Sequence, residues 1–169
     1  MLFAKEMKDL LMRIIHEMTQ NKELFVKNPG KDFSRTRKQS FEKMMQFILS
    51  MEGDTVKREL MKFFNFSSDM PSDAAFNQQR SKILPKAFEH LFRAFTDKIP
   101  DEKYYRGYRL MACDGTSLYI SRNPSDKASY CRENSKEKGY NLLHLNTMYD
   151  LLNRKYIDAV IQPAHQHDE

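Results

Sequence analysis

Asp114 is the residue whose type and position first suggest chemistry in this chain. It ends the short apolar run "YRLMACD" (residues 108–114) and is followed by Gly115 and Thr116. A carboxylate at the end of a buried strand costs free energy unless it is hydrogen-bonded or bound to a cation. An Asp-Gly turn, in which Gly115 takes a positive φ, would satisfy it locally, and the dipeptide alone favours that interpretation. A metal ligand is the alternative, and both stay open at this point.

A cluster of cations in "FSRTRKQSF" (residues 33–41) is the second candidate site. Arg35, Arg37 and Lys38 lie at the expected start of a helix, and Lys27 and Lys31 precede them. The helix dipole does not favour cations there, because acidic side chains suit a helix N-terminus. We interpret the cluster as phosphate contacts to DNA, with a solvated helix face as the equally simple alternative.

The segment "SDAAFNQQRSKILPKAF" (residues 72–88) is the third candidate site. Its predicted polar face carries Asn77, Gln78, Gln79, Arg80 and Lys82. Amide side chains pair with adenine edges and Arg pairs with guanine, and a short helix pair suits a helix-turn-helix motif. These residues are therefore candidates for DNA contacts, while an ordinary solvated face remains the alternative.

Composition and charge narrow the class of protein. Charged residues make up 30% of the chain and hydrophobic residues 40%, which is typical of a soluble globular protein. No apolar run approaches the roughly 20 residues of a membrane span. The net charge is +5, and the whole excess lies in residues 1–107. The two cysteines are too few for a disulfide framework, which favours a reducing cytosol.

The first hundred residues have the periodicity of helices. Apolar residues recur at helical spacing over 2–20 and 36–51, and again from about 55 to 64. Ser72 is a predicted N-cap for a fourth helix, and Pro85 suits the first turn of a fifth. The Phe and Met residues on these faces predict the core of a compact helical bundle.

After a polar segment the pattern changes to that of strands. Three strands are predicted, at 108–114, 142–152 and 155–163, the last two joined by a hairpin turn at Asn153-Arg154. A long exposed loop is predicted over 121–139. The fold class is therefore α+β, with a helical bundle over 1–100, a linker over 101–107 and a strand region over 108–169.

The order of these motifs resembles a known family. "FSRTRKQSF", "AFNQQRSKILPKAFEHLF", "GYRLMACDGTSLYI" and "HLNTMYDLLNRKYIDAVIQ" follow one another as in the N-terminal part of bacterial insertion-sequence transposases. These are DDE-type enzymes whose later part carries a Tyr-Arg-Glu-Lys signature. The resemblance runs from about residue 25 to the end, and its more specific parts are the "DGT" and the "Y-D" and "DA-I" patterns.

The resemblance implies a catalytic domain with an RNase H-like fold that opens with an antiparallel meander. It places Asp114 as the first metal ligand on the first strand. Two Mg²⁺ ions between three carboxylates would cut and join DNA by two-metal phosphoryl transfer. The family's other two ligands lie further downstream, so we expect a fragment that is inactive alone. The implied partner is transposon-end double-stranded DNA in the bacterial nucleoid, with a homodimer possible in the complete protein.

Two other functions remain open from the sequence. One is a non-catalytic DNA-binding regulator that competes with a complete transposase for DNA ends. The other is a helical interaction module without a nucleic-acid role, which predicts no DNA binding at low salt.

Overall fold

The computed structural model describes residues 2–35, 39–100, 102–132, 134, 136 and 138–165. The chain forms two compact units, Met1–Phe95 and Thr96–Glu169. The first is helical and the second is built around an antiparallel sheet, so the predicted α+β class is confirmed. Among the described residues, no helix combines the length and the apolar composition needed to cross a bilayer.

Among the residues that the structure describes, the helical unit has five α-helices, and side-chain caps set where two of them begin. They are α1 (Leu2–Gln20), α2 (Phe41–Ser50), α3 (Val56–Phe63), α4 (Asp73–Arg80) and α5 (Lys86–Asp97), whose last two residues belong to the second unit. The Ser40 hydroxyl accepts the Lys43 backbone N–H at 3.2 Å, and the Ser72 hydroxyl accepts that of Ala75 at 3.2 Å. Each bond satisfies one of the free N–H groups at a helix start. The prediction that Ser72 caps α4 is thus confirmed.

The predicted start of the second helix at residue 36 is wrong. The helix α2 begins at Phe41, because Ser40 has an extended backbone and caps it. Arg35 therefore lies in the preceding loop, and the dipole argument for the basic cluster does not apply to it. Arg37 and Lys38 lie outside the described residues.

The helical unit is held together by one apolar core drawn from every α-helix. The Phe76 ring is fully buried in this core, and its centroid lies 4.8 Å from that of the Phe47 ring in an edge-to-face arrangement. The predicted Phe and Met core is confirmed, and its buried apolar residues are Ile14, Ile15, Met18, Phe25, Val26, Phe41, Met44, Met45, Phe47, Leu60, Phe76, Ile83, Ala87 and Leu91.

In the second unit the central strand of the sheet is β3 (Tyr140–Asp150). It pairs antiparallel with β1 (Met111–Ile120) along one edge and with β4 (Lys155–Pro163) along the other. A two-residue strand, β2 (Tyr130–Cys131), pairs with the start of β3 inside the segment predicted as a plain loop. The turn between β3 and β4 covers 151–154, so β3 ends two residues before its predicted end.

The buried positions of the sheet unit are polar. Asp150 is 0% exposed and accepts four hydrogen bonds. Their donors are the backbone N–H groups of Leu152 and Asn153, the Asn153 amide and the Arg109 Nε, at 2.9–3.2 Å. The Asn153 amide in turn accepts the backbone N–H groups of Glu102 and Lys103 at 3.0 and 2.9 Å. This cluster fixes the β3–β4 turn against the segment that precedes β1.

Candidate nucleic-acid interface

A short backbone pairing in the helical unit brings two distant segments together. Val26 and Ile83 form an isolated antiparallel bridge. Beside it, the Lys27 N–H donates to the Lys82 carbonyl at 2.9 Å, and the Leu84 N–H donates to the Phe25 carbonyl at 2.9 Å. The loop that follows residue 27 therefore lies next to the end of α4. This pairing joins the second and third candidate sites of the sequence.

A cavity of about 360 Å³ lies between the two segments, and we call it the basic pocket. Lys31 and Arg35 contribute exposed cations from one segment, and Lys82 contributes a third from the other. The complete lining is Gly30, Lys31, Phe33, Ser34, Arg35, Gln39, Gln79 and Lys82.

The loop over residues 28–33 has a defined conformation. The Asp32 carboxylate accepts the backbone N–H of Asn28 at 3.0 Å and its side-chain amide at 3.1 Å. Gly30 has a positive φ of 75°, which glycine adopts without steric cost. Phe33 has a φ of 55°, a strained backbone for a bulky residue. The loop is thus held in a costly conformation at the pocket wall.

The charges around the basic pocket are only partly neutralised. The Lys82 ammonium lies 4.0 Å from the buried Asp32 carboxylate and donates to the Gln79 Oε1 at 3.0 Å. It also lies 5.9 Å from the centre of the Phe33 ring. Within the described part of the chain, Lys31 and Arg35 have no ion-pair partner. The pocket therefore presents two uncompensated positive charges to solvent.

The polar-face prediction for α4 is wrong for Gln79, which is 8% exposed and accepts a hydrogen bond from the Lys82 ammonium. Asn77, Gln78 and Arg80 are all exposed. The Arg80 guanidinium lies 5.6 Å from the centre of the Phe76 ring, so its stem covers part of the core. Of the five residues predicted in this segment, Gln79 and Lys82 line the pocket.

Sequence reasoning missed Gln39, which lines the pocket and is 8% exposed. Its position relative to α2 was the available signal. Gln39 directly precedes the N-cap Ser40, a position that often holds a hydrophobic residue packing against the fourth residue of the helix. Because a residue at this position is often buried, the amide of Gln39 could have been recognised as a buried polar group.

Asp114 lies within a strand and not at its end, so the turn, one of the two interpretations left open for Asp114-Gly115, is wrong. The strand β1 continues through Gly115 and Thr116 to Ile120. Gly115 pairs with Asn146 on β3, and a Cβ at residue 115 would lie 2.7 Å from the Asn146 Oδ1. A larger residue at position 115 would therefore require the Asn146 side chain to shift. The expectation of a buried strand is also wrong, because nearly every residue of β1 is exposed.

The surroundings of Asp114 provide few metal ligands. Its Oδ1 accepts the backbone N–H of Gly115 at 2.9 Å, and its backbone carbonyl accepts the Thr147 hydroxyl at 3.3 Å. Asp158 on β4 lines the same cavity of about 340 Å³ as Asp114, and its Oδ1 accepts the backbone N–H of Ala159 at 2.9 Å. The part of the chain that is described contains no cluster of three or more His, Cys, Asp or Glu residues. These residues alone do not fit a two-Mg²⁺ site.

Comparison with protein-family models, curated proteins and solved structures gave no match to this chain.

Proposed function

We propose that the helical unit binds double-stranded DNA, with Lys31 and Arg35 contacting backbone phosphates. The observation that carries this proposal is the basic pocket, in which the fold joins two cation-bearing segments that are far apart in the sequence. Cations that neutralise DNA phosphates release the counterions condensed on DNA, and a cation without an acidic partner breaks no ion pair when it does so.

Base-edge contacts come from α4 in this proposal. Asn77, Gln78 and Arg80 are exposed on a helix whose end lies at the same pocket. Amide and guanidinium side chains can read base edges in the major groove, while the pocket cations set the position of the backbone. Lys82 has a supporting role, because its ammonium is already engaged by Asp32 and Gln79.

A transposase of the DDE type is the protein class that we propose for this chain. Its support is the order of the sequence motifs together with an antiparallel sheet that carries an exposed Asp114 on β1. In an RNase H-like domain Asp114 would supply one metal ligand, and further carboxylates from other segments would have to complete the site. In a transposase containing this chain, Asp114→Asn should abolish Mg²⁺-dependent strand cleavage and leave DNA binding unchanged. Cleavage at the normal rate would exclude the ligand role.

The DNA-binding proposal is tested by affinity for a short duplex over a salt series from about 50 to 200 mM. Changing Lys31 and Arg35 together to Ala should weaken binding equally for different duplex sequences. It should also reduce the slope of log affinity against log salt by about 2, one for each lost phosphate contact.

The matched control changes two other exposed lysines, Lys5 on α1 and Lys57 on α3, to Ala. This variant has the same net charge as the test variant, so it should keep most of the affinity and slope if the pocket binds DNA specifically. The proposal fails if the wild-type chain shows no salt-dependent binding, or if the two double variants lose affinity equally.

A further inference from the structure

The Gln39 side chain lies in the wall of the basic pocket, and its amide has no hydrogen-bond partner among the described residues. It is 8% exposed, and both its Nε2 and its Oε1 are buried without a hydrogen-bond partner among the residues that the structure describes. Buried polar groups in proteins are nearly always paired, and leaving one unpaired costs about 1–3 kcal/mol. Gln39 is also a lining residue of the basic pocket, so a ligand there would supply the missing partners once the amide turned towards the cavity.

The chemistry of the amide restricts the class of ligand. Gln39 offers a donor and an acceptor side by side in one plane. An ionised phosphate oxygen only accepts hydrogen bonds, so phosphate would leave the Oε1 unpaired. A nucleobase edge offers both groups, and the amino group and N7 of adenine match a glutamine amide in two hydrogen bonds.

Burial also excludes a base that stays paired in the duplex. A side chain that reads the major groove must project into a groove about 8.5 Å deep, whereas Gln39 is nine-tenths buried. The base must instead enter the pocket, as happens when a nucleotide leaves the base stack. The cavity volume of about 360 Å³ lies within the range of small-ligand pockets. The Phe33 ring provides an apolar part of the lining.

We infer that the basic pocket receives an unpaired adenine of DNA, with Gln39 pairing to the base edge and the Lys31 and Arg35 cations holding the adjoining phosphates. This inference rests on the proposed DNA-binding function and adds to it a specific nucleotide. The strained backbone of Phe33 agrees with a pocket wall that is ordered before the base arrives.

The test compares three DNA duplexes: one fully paired, one with a single unpaired adenosine, and one with an unpaired abasic nucleotide at the same place. The wild-type chain should bind the adenosine duplex about 5- to 150-fold more tightly than the abasic one, the range expected for a good bidentate base contact. The variant Gln39→Leu should lose this preference and keep its affinity for the paired duplex.

The Gln39→Leu variant should fold, because replacing an unpaired buried amide by an apolar group of similar size is neutral or stabilising. The thermal midpoint of Gln39→Leu should equal or exceed that of the wild type. Gln20→Leu, on the exposed surface of α1, is the matched control and should keep the adenosine preference.

The outcomes separate the inference from the function on which it rests. Equal affinity for the adenosine and abasic duplexes, or a preference that persists in Gln39→Leu, would overturn the inference while DNA binding stands. Failure to bind any of the duplexes would overturn both. Free AMP should bind far more weakly than the adenosine duplex, because it lacks the neighbouring phosphates, and AMP binding as tightly as DNA would overturn the assignment to DNA.

Discussion

The two units of this chain bury different kinds of residue. In the helical unit the buried side chains are mainly apolar and form one core that includes Phe76. In the described part of the sheet unit the buried residues are Thr96, Ser129, Asn141 and Asp150, all polar. The helical unit is therefore stabilised mainly by removing apolar surface from water, and the sheet unit depends much more on buried hydrogen bonds.

This difference determines how each unit responds to change. An apolar core loses stability in proportion to the volume removed, because neighbouring groups collapse only partly into the cavity. A buried polar cluster loses stability when one member is removed and its partners are left unpaired. In the sheet unit, the second such cluster is centred on Asn141, which bonds the backbone of Asn123 and the hydroxyl of Ser129.

The largest effect is expected from Phe76→Ala in the helical core. The ring is 0% exposed and packs edge-to-face on Phe47. Its removal should lower the free energy of unfolding by about 3–5 kcal/mol, measured by urea denaturation followed through the helical circular-dichroism signal. The control Phe66→Ala removes a ring that is 75% exposed and should change stability by less than about 0.5 kcal/mol. Similar losses in both variants would contradict the apolar-core account.

The next effect is expected from Asp150→Asn in the sheet unit. The substitution turns one carboxylate oxygen into an amide donor that faces the Arg109 and Asn153 donors. The midpoint for loss of the strand signal should fall by roughly 5–10 °C, as for other broken buried charge networks in domains of this size. The exposed Asp97→Asn is the control and should shift the midpoint little. An unchanged midpoint in Asp150→Asn would show that the cluster is dispensable.

Asp150 also predicts the pH dependence of this unit. Hydrogen bonds to its carboxylate lower the pKa of Asp150 from 3.8 to about 2. The donors are the Asn153 backbone N–H, the Asn153 amide, the Arg109 guanidinium and the Leu152 N–H. Because the folded-state pKa is depressed, the stabilisation is present above the unfolded value and is lost as pH falls from 3.8 towards about 2. Unfolding midpoints measured across this interval should fall for the wild type, and this component should vanish in Asp150→Asn.

The smallest effect is expected from Gly115→Ala on β1. The added methyl would meet the Asn146 Oδ1, and that amide would have to move from its hydrogen bond with Gln162. We expect a loss of about 1 kcal/mol, at the low end for a local overpacking, because the contact is with the end of a side chain. In a double-mutant cycle, Asn146→Ala should cancel most of the loss. A loss that persists in the double variant would place the strain in the backbone.

Local sequence patterns predicted the helical unit well. The 3.6-residue spacing of Phe and Met residues marked the faces that form its core, and Ser72 was recognised as a cap from the residues that follow it. The start of α2 was misplaced by five residues, because the cations of "TRK" were counted in the helix before the cap at Ser40 was known. Caps and periodicity are properties of near neighbours in the chain, so a sequence reports them directly.

The strand region was predicted in outline and misread in detail. The strand β4 was placed at its observed limits, 155–163, yet the dipeptide Asp114-Gly115 by itself favoured a turn where the strand β1 continues. A dipeptide preference cannot reveal that Asn146 on another strand approaches residue 115, since that contact depends on the register of β1 with β3. The burial of Asp150 was missed for the same reason: its Arg109 partner is distant in the sequence.

The sequence by itself determined the division into a helical and a strand-rich region, the faces of the helices and the presence of two basic segments. These features follow from interactions within a few residues along the chain. Only the tertiary structure decided that the Val26–Ile83 bridge joins those basic segments into one pocket, that Gln39 is buried there unpaired, and that Asp114 stands exposed within a strand. Each of these depends on the pairing of backbone segments that are far apart in the chain, and such pairing is set by the register and packing of the whole unit.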